Sequence, residues 1–391
     1  MKKIYIISER IKDKSKYSDG IILTENDFNP CKSFFAEHPD IKPESIDYIY
    51  TKGVLEDFEY LRCLVKNIDW MLRVGGILEL DFLHLRLGGL GYAIRPEDEI
   101  AYEIASVFKE RIHLEDMSKR HIGKPTHRIY KKVDQALQQE DTIDSWTFGI
   151  VSDGRKNERI LQIIDKIQSF GIQHYEILIC GPSPSRKLPT NVKVLDDNSF
   201  YSDKRIPLCK KKNSIILHAQ YGNLCIIHDR IMFSDQWYKQ IKKEGNYFDA
   251  FTPAILDEET KSKHVIDFVS YPNYAFGKYQ KVYNNKKWSP NLYMDGAIIT
   301  IKSHVAKEIL QKPYLHWGEK EDVDFARRIY QNGYIITVNH NIKVYTLTYS
   351  KKGANLNKNL YLRLKEKIFA KYFWWKMYNK EKNILTNYLN E

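Results

Sequence analysis

The chain has 391 residues, of which 43% are hydrophobic and 28% are charged. A length of this order predicts two domains, and the hydrophobic share is enough for ordinary cores. The formal net charge of +11 attracts nucleic acid, anionic lipid or phosphorylated substrates, and the charge alone does not choose between them. Nucleic acid is not an expected partner, because Lys and Arg are spread along the chain and no RNA-binding motif occurs.

Cysteine usage and the apolar runs indicate the compartment. The five cysteines are scattered, without a CxxC pair or a metal-binding spacing, and an odd number suggests a reducing environment. The N-terminal apolar run is too short for a signal peptide, and no stretch reaches the ~18 apolar residues of a membrane-spanning helix. We therefore expect a cytoplasmic protein, either free or peripheral on the inner face of the membrane.

Strand and helix patterns alternate over the first third of the chain. The N-terminal KIYII and the later IDYIY predict strands, residues 58–72 carry apolar side chains at helical spacing, and ILELDFL predicts another strand. This alternation predicts an α/β sheet covered by helices. Gly75-Gly76 is interpreted as the turn from the helix into the strand. The polar stretch 131–145 carries no strong pattern and marks a domain boundary.

The pattern begins again at residue 146. A strand, WTFGIV, leads into an amphipathic helix that ends at Gly171, and the strands HYEILIC and VKVL follow. Such a series is typical of the opening of a nucleotide-binding α/β domain. We predict a first domain over residues 1–140, a second over 141–350 and a helical tail over 351–391.

The tail mixes Lys and Arg with Leu, Ile, Phe and Trp at roughly helical spacing. A basic amphipathic helix with Trp can lie on an anionic membrane. Packing of the helix on its own domain is an equal alternative.

Two acidic positions in the second domain carry the functional prediction. The strand LCIIH delivers Asp229 at its carboxyl end, which is where ligands bind in open α/β sheets. Further on, Trp317 and Gly318 precede Glu321-Asp322 at the start of a helix. Negative charge there is favoured by the helix dipole alone, but such a carboxylate can also serve as a general base.

These segments, together with TFGIVSDGRKNERILQIIDKI, resemble the GT-A glycosyltransferases of the family-two type. The resemblance implies a nucleotide-sugar donor and a divalent cation, Mn or Mg, that neutralises the departing diphosphate. It places Asp229 in the DxD motif and assigns Asp322 as the base, with Glu321 contacting acceptor or metal, although those two could exchange roles. The second Asp of the motif is absent, which leaves open whether Arg230 takes over part of the neutralisation.

The same resemblance implies the remaining contacts of the site. On the donor side it implies Ser152, Asp153, Asp197, Lys212, Asp229 and Arg230, with Asp153, Asp196 and Asp197 as alternatives for base recognition. On the acceptor side it implies Asp295, Gly296, Trp317 and Gly318. For the metal it implies Asp229 and His340, although a lone His between two Asn residues is more often a turn residue.

The first domain resembles the later part of a class I SAM-dependent methyltransferase, from the strand before Gly53 to the strand after Gly76. Such enzymes bind SAM with a glycine-rich loop after their first strand. Here the first glycine is Gly20. We therefore expect a truncated relative that does not bind SAM and acts as a docking or structural module.

The predicted fold is α/β, with two Rossmann-like domains and a helical tail. The predicted activity is inverting transfer of a hexose or N-acetylhexosamine to a bacterial surface glycan such as a capsule or lipooligosaccharide. By family frequency the donor is expected to be UDP-linked. The acceptor is a glycan or glycolipid. The alternatives are a SAM-dependent methyltransferase with an accessory glycan domain and a non-catalytic glycan-binding scaffold.

Overall fold

The structure is a computed structural model. It describes residues 1–55, 58, 60–83, 97–118, 125–136, 142–184, 186–195, 207–261, 269–270, 280–281, 292–317 and 319–347. The predicted tail over 351–391 lies outside the described residues, as do the predicted site residues Asp196, Asp197 and Gly318. Within the described ranges, no helix is both long enough and apolar enough to cross a bilayer.

The first sheet has six strands in the order β2-β1-β3-β4-β6-β5. They are β1 (Lys3–Ile7), β2 (Ile21–Leu23), β3 (Ile46–Lys52), β4 (Leu72–Leu83), β5 (Ile112–Met117) and β6 (Pro125–Lys132). The first four strands run parallel, and β6 and β5 close the sheet as antiparallel neighbours. The helices of this domain are α1 (Phe34–Glu37), α2 (Leu61–Met71) and α3 (Glu97–Phe108). Alternate strand residues such as Ile4 and Ile6 join apolar residues of α2 and α3 in one core.

The glycine pair Gly75-Gly76 lies inside β4, so its interpretation as a helix-to-strand turn is wrong. Helix α2 ends at Met71, and β4 begins at the next residue. The register between β3 and β4 then shifts, because Ile46 pairs with Leu72 while Tyr48 pairs with Ile77. The extra residues form a bulge, and Gly75 has a φ of +78°, a conformation that favours glycine.

The second sheet has eight strands in the order β11-β16-β12-β15-β10-β7-β8-β9. They are β7 (Ser145–Val151), β8 (His174–Cys180), β9 (Val192–Leu195), β10 (Asn223–His228), β11 (Ile231–Phe233), β12 (Ala250–Asp257), β15 (Ile298–Lys302) and β16 (Ile336–Thr346), while β13 (Val269–Ser270) and β14 (Gln280–Lys281) form a separate pair. Strands β10, β7, β8 and β9 are parallel, and β15 runs antiparallel to β10. The expected α/β architecture with two sheets is confirmed.

Helices cover both faces of the second sheet. They are α4 (Asn157–Gln168), α5 (Leu208–His218), α6 (Trp237–Glu244), α7 (Ser303–Ile309) and α8 (Glu321–Gln331). Apolar residues of α4 and α6 form one core with Cys225 and Ile227 of β10. Apolar residues of α5, α7 and α8 form the other with Leu224 and Ile226. Both faces of β10 are therefore buried, which explains why its sequence is a continuous apolar run.

The two domains meet through buried charged groups. Arg62 of α2 pairs with Glu103 of α3 and donates a hydrogen bond from Nη1 to the Tyr330 carbonyl oxygen of α8 at 2.6 Å. Lys66 Nζ lies 2.9 Å from Asp249 Oδ1, and both side chains are almost fully buried. Cys63 of α2 joins the core beneath α8. The domains are thus packed into one body through α2 and α8.

The buried pair of Lys66 and Asp249 gives a test of this interface. Replacing Lys66 by Met leaves the Asp249 carboxylate buried without its cation, so we expect the free energy of unfolding to fall by about 3 kcal/mol. Urea denaturation of the full chain measures this change.

Lys32→Met is the matched control, because Lys32 and its partner Glu37 are both half exposed. Loss of an exposed pair should cost less than about 1 kcal/mol. Equal losses in the two variants would show that the Lys66 pair does not hold the domains together.

Candidate functional site

The candidate site lies where the chain reverses its direction across the second sheet. From β7 the chain proceeds to β8 and β9 on one side, and it returns to β10 on the other side. Because β7 and β10 are parallel neighbours, with Val151 paired to His228, their carboxyl ends meet at one edge. A crevice at such a switch point is the usual ligand site of an open α/β sheet.

Asp229 directly follows β10 at this edge. The residue is only 7% exposed. Ser152, which follows β7, donates from Oγ to Asp229 Oδ2 at 2.7 Å, and Lys156 donates from Nζ to Oδ1 at 3.1 Å. Both carboxylate oxygens therefore have a donor, which is the condition for keeping a charge in a buried position.

Ser152 is also fixed from the side of α5. The buried Lys211 donates from Nζ to the Ser152 carbonyl oxygen at 2.7 Å. Gly181, at the end of β8, passes so close that a Cβ atom there would lie 2.5 Å from the same oxygen. Only glycine fits at that position, so the loop after β8 helps to hold Ser152 in place.

The first turn of α8 brings the second acidic position to the same edge. Asp322 accepts a hydrogen bond from the Gly296 backbone N–H at 3.3 Å and another from the Val323 N–H at 2.8 Å. Gly296 precedes β15, the neighbour of β10, and a Cβ atom on it would lie 3.5 Å from Asp322 Oδ2. Lys320, just before the helix, has a left-handed φ of 62°, a conformation that is costly for Lys and is often found beside functional groups.

Lys212 of α5 lies among the carboxylates of this edge. Its side chain is fully buried, and among the described residues its Nζ has no hydrogen-bond partner. Burial lowers the pKa of Lys212, and the negative charges of Glu321, Asp322 and Asp295 oppose this. Buried polar atoms are almost always hydrogen-bonded, so this ammonium indicates a place for an oxygen atom of a ligand.

The environment of Asp322 suits a proton acceptor. Burial raises the pKa of Asp322 to about 6, with further upward contributions from Glu321 and Asp295 and a downward one from Lys212. A carboxyl group that titrates near neutral pH is more basic than an exposed one and is still mostly ionised at pH 7.

Most of the predicted site residues are brought together. The structure gathers eight of them around the carboxyl ends of β7 and β10 and the start of α8: Ser152, Lys212, Asp229, Arg230, Asp295, Gly296, Glu321 and Asp322. Two others are turned to solvent. Asp153 bonds to Arg155, which lowers the pKa of Asp153, and Trp317 is 59% exposed in the loop before α8.

The predicted metal ligands do not form a complete set in the described part of the chain. His340 lies in an irregular part of β16, where the pairing shifts from Asn339 to Lys343. Among the described residues, no three or more His, Cys, Asp or Glu side chains are grouped so that they could hold a metal ion. Asp229 itself is occupied by a hydroxyl and an ammonium group, so this donor set does not fit the six or so oxygen ligands of a hard divalent cation.

Lys156 and Lys211 were not among the residues predicted from the sequence. The sequence position of Lys156 could have identified it as a candidate site residue. Lys156 directly precedes α4, where a positive charge is unfavourable because it opposes the helix dipole. Lys211 has no such signal, since a Lys in the first turn of α5 gives no indication of the carbonyl group that it contacts.

The pKa of Asp322 gives a pH prediction. Any reaction that uses Asp322 as a base should slow as pH falls through about 6, because the carboxylate becomes protonated. Lys212→Met removes the charge that lowers this pKa, so the acidic limb of the pH–rate profile should move to higher pH.

Lys210→Met, an exposed position on the same helix, is the matched control and should leave the profile in place. An unchanged acidic limb in Lys212→Met would mean that Lys212 does not act on the proton acceptor.

Comparison with known proteins gives distant likenesses only. No protein-family model matches the sequence, and no curated protein matches it. Among solved structures, the chain is similar to S. aureus TarS 1–349, with 15% identity and a TM-score of 0.36 over 52% of this chain and 60% of that one. The same S. aureus fragment in complex with UDP gives 14% identity and a TM-score of 0.35, over 52% of this chain and 60% of that one. The chain thus spans less than two thirds of these structures, and TM-scores at this level do not assign a fold or an activity.

Proposed function

We propose that the chain is an inverting glycosyltransferase that moves a hexose or an N-acetylhexosamine from a nucleotide-diphosphate sugar, UDP-linked by expectation, to a hydroxyl group of a bacterial surface glycan. One observation carries the proposal. The half-buried carboxylate of Asp322 is hydrogen-bonded to Gly296 at the same sheet edge as Asp229. A proton acceptor and an anion-binding crevice are the two parts that this reaction needs.

The donor side of the site is supported by its cations. Lys156 lies at the mouth of the crevice with its side chain 43% exposed and its ammonium on Asp229. Arg230 follows Asp229, and burial lowers the pKa of Arg230 while the nearby charges of Asp295 and Asp229 oppose this effect. A diphosphate lying over the ends of β7 and β10 would meet these groups, and ammonium and guanidinium groups are the usual protein partners of phosphate.

The acceptor side is supported by Asp322 and by the loop that precedes α8. In the proposed step, the acceptor hydroxyl oxygen forms a bond to the anomeric carbon while the bond from that carbon to the diphosphate oxygen breaks. The hydroxyl proton passes to Asp322, and the electron pair leaves with the nucleoside diphosphate. Attack from the face opposite to the leaving group gives inversion.

Exposed aromatic rings favour a glycan as the acceptor. Trp317 is 59% exposed and Tyr314 is 65% exposed, and both lie in the loop that leads to the proposed base. Large exposed aromatic side chains mark binding surfaces, and their flat apolar faces suit the face of a sugar ring. The net charge of +11 favours an acceptor that is polyanionic or linked to anionic lipid.

Substitution of the proposed base separates binding from chemistry. In Asp322→Asn, stabilisation of the protein by UDP-glucose or UDP-N-acetylglucosamine in a thermal-shift assay should persist. Release of UDP from these donors into water or to an acceptor should fall by about 100-fold or more, because general bases contribute that much. Asp229→Ala should instead lose the stabilisation.

Asp324→Asn is the matched control on the same helix, since Asp324 pairs with Lys312 and Arg328 and should keep its activity. A panel of UDP-sugars, GDP-sugars and SAM tests the wild-type chain. Stabilisation by SAM alone would contradict the proposed function, and normal turnover by Asp322→Asn would refute the assignment of the base.

A further inference from the structure

The cations beside Asp229 point to an unusual way of neutralising the donor. We infer that Lys156, held in place by Asp229, and the neighbouring Arg230 neutralise the departing diphosphate, and that a divalent cation bound to Asp229 does not. This inference rests on the proposed function and concerns the same crevice. Asp229 then acts as a positioning residue for Lys156.

The contacts of Asp229 carry the first step of the argument. Its Oδ2 accepts the Ser152 hydroxyl at 2.7 Å and its Oδ1 accepts the Lys156 ammonium at 3.1 Å. A divalent cation on Oδ1 would have to compete with the ammonium, because two positive charges on one oxygen repel each other. A hard cation also needs several further oxygen ligands, and among the described residues no group of three or more suitable side chains surrounds this position.

The position of Arg230 carries the second step. This residue directly follows Asp229, and its carbonyl oxygen accepts a hydrogen bond from the Leu347 N–H at 3.1 Å, which fixes the backbone. A guanidinium group keeps its charge at every accessible pH and matches phosphate oxygens with two parallel N–H donors. A positive side chain here opposes the binding of a second cation and favours an anion.

The charge balance of the reaction gives the third step. When the bond from the anomeric carbon to the diphosphate oxygen breaks, the electron pair stays on that oxygen and the diphosphate gains one negative charge. Lys156 and Arg230 together carry two positive charges, the same as one divalent cation. Preorganised charges directed at the atom that becomes negative lower the barrier without further reorganisation.

The main test uses the wild-type chain alone. Binding of UDP, UDP-glucose and UDP-N-acetylglucosamine is measured by calorimetry, with UDP release from the sugars followed in parallel, in EDTA and in Mn. We expect the dissociation constants and the rates of UDP release to agree within about threefold between EDTA and Mn. A difference of about tenfold would mean that the cation contributes to binding or to the reaction.

Two variants test the inference in opposite directions, one by making UDP release dependent on Mn and the other by slowing UDP release in EDTA. Arg230→Asp places a second carboxylate beside Asp229, so UDP release should become dependent on Mn. Lys156→Gln should slow release in EDTA by about 10-fold to 100-fold, as for the loss of one preorganised donor. Lys166→Gln, at the far end of α4 and paired with Asp235, is the control and should match the wild type.

The failures of the two proposals are distinguishable. If wild-type binding and UDP release vanish in EDTA and return with Mn, the inference is overturned while the proposed function stands. If no nucleotide or nucleotide sugar binds in either condition, both are overturned. If Lys156→Gln behaves as Lys166→Gln does, Lys156 does not neutralise the diphosphate.

Discussion

The adjacency of β7 and β10 is the constraint on which the rest of the site depends. These parallel strands lie side by side, while the chain leaves them toward opposite sides of the sheet. Connecting segments therefore diverge above their carboxyl ends and leave a crevice there. The hydrogen bond between Ser152 and Asp229 joins the two strand ends at its base. The other elements of the site are placed relative to this hydrogen bond. Strand β15 pairs with β10, α5 contacts Ser152 through Lys211, and the first turn of α8 contacts Gly296 just before β15.

Charge compensation explains how so many ionised groups can occupy one edge. Asp229, Asp295, Glu321 and Asp322 bring negative charge, while Lys156, Lys212 and Arg230 bring positive charge. An isolated buried charge is costly, but neighbouring opposite charges and hydrogen bonds offset that cost. The compensation is incomplete at Asp322, whose pKa rises to about 6, and at Lys212, whose ammonium has no hydrogen-bond partner among the described residues. Asp322 therefore has capacity for a proton, and Lys212 has capacity for a ligand oxygen.

The first domain contributes to the frame of the site although its sequence offers no glycine-rich cofactor loop. Arg62 reaches from α2 to the Tyr330 carbonyl oxygen near the end of α8, and its guanidinium lies 4.2 Å from the Tyr330 ring centroid. Positive charge at a helix C-terminus is favoured by the dipole. Because α8 carries Asp322 in its first turn, the first domain holds one end of the helix whose other end presents the proposed base.

The sequence by itself determined the local elements of this protein and the two acidic positions. Apolar runs and helical spacing predicted β7, α4, β10 and α8, because burial of one face or of two faces leaves a period that can be read locally. The strand end at Asp229 and the helix start at Glu321-Asp322 followed from the same patterns. Only the tertiary structure decided which groups meet there. The ion pair of Lys156 with Asp229, the burial of Lys212 beside Asp322 and the bulge at Gly75 each depend on the register of strands or on the packing of helices that are distant in sequence. A periodic pattern encodes which face of an element is buried, but it does not encode which neighbour buries it.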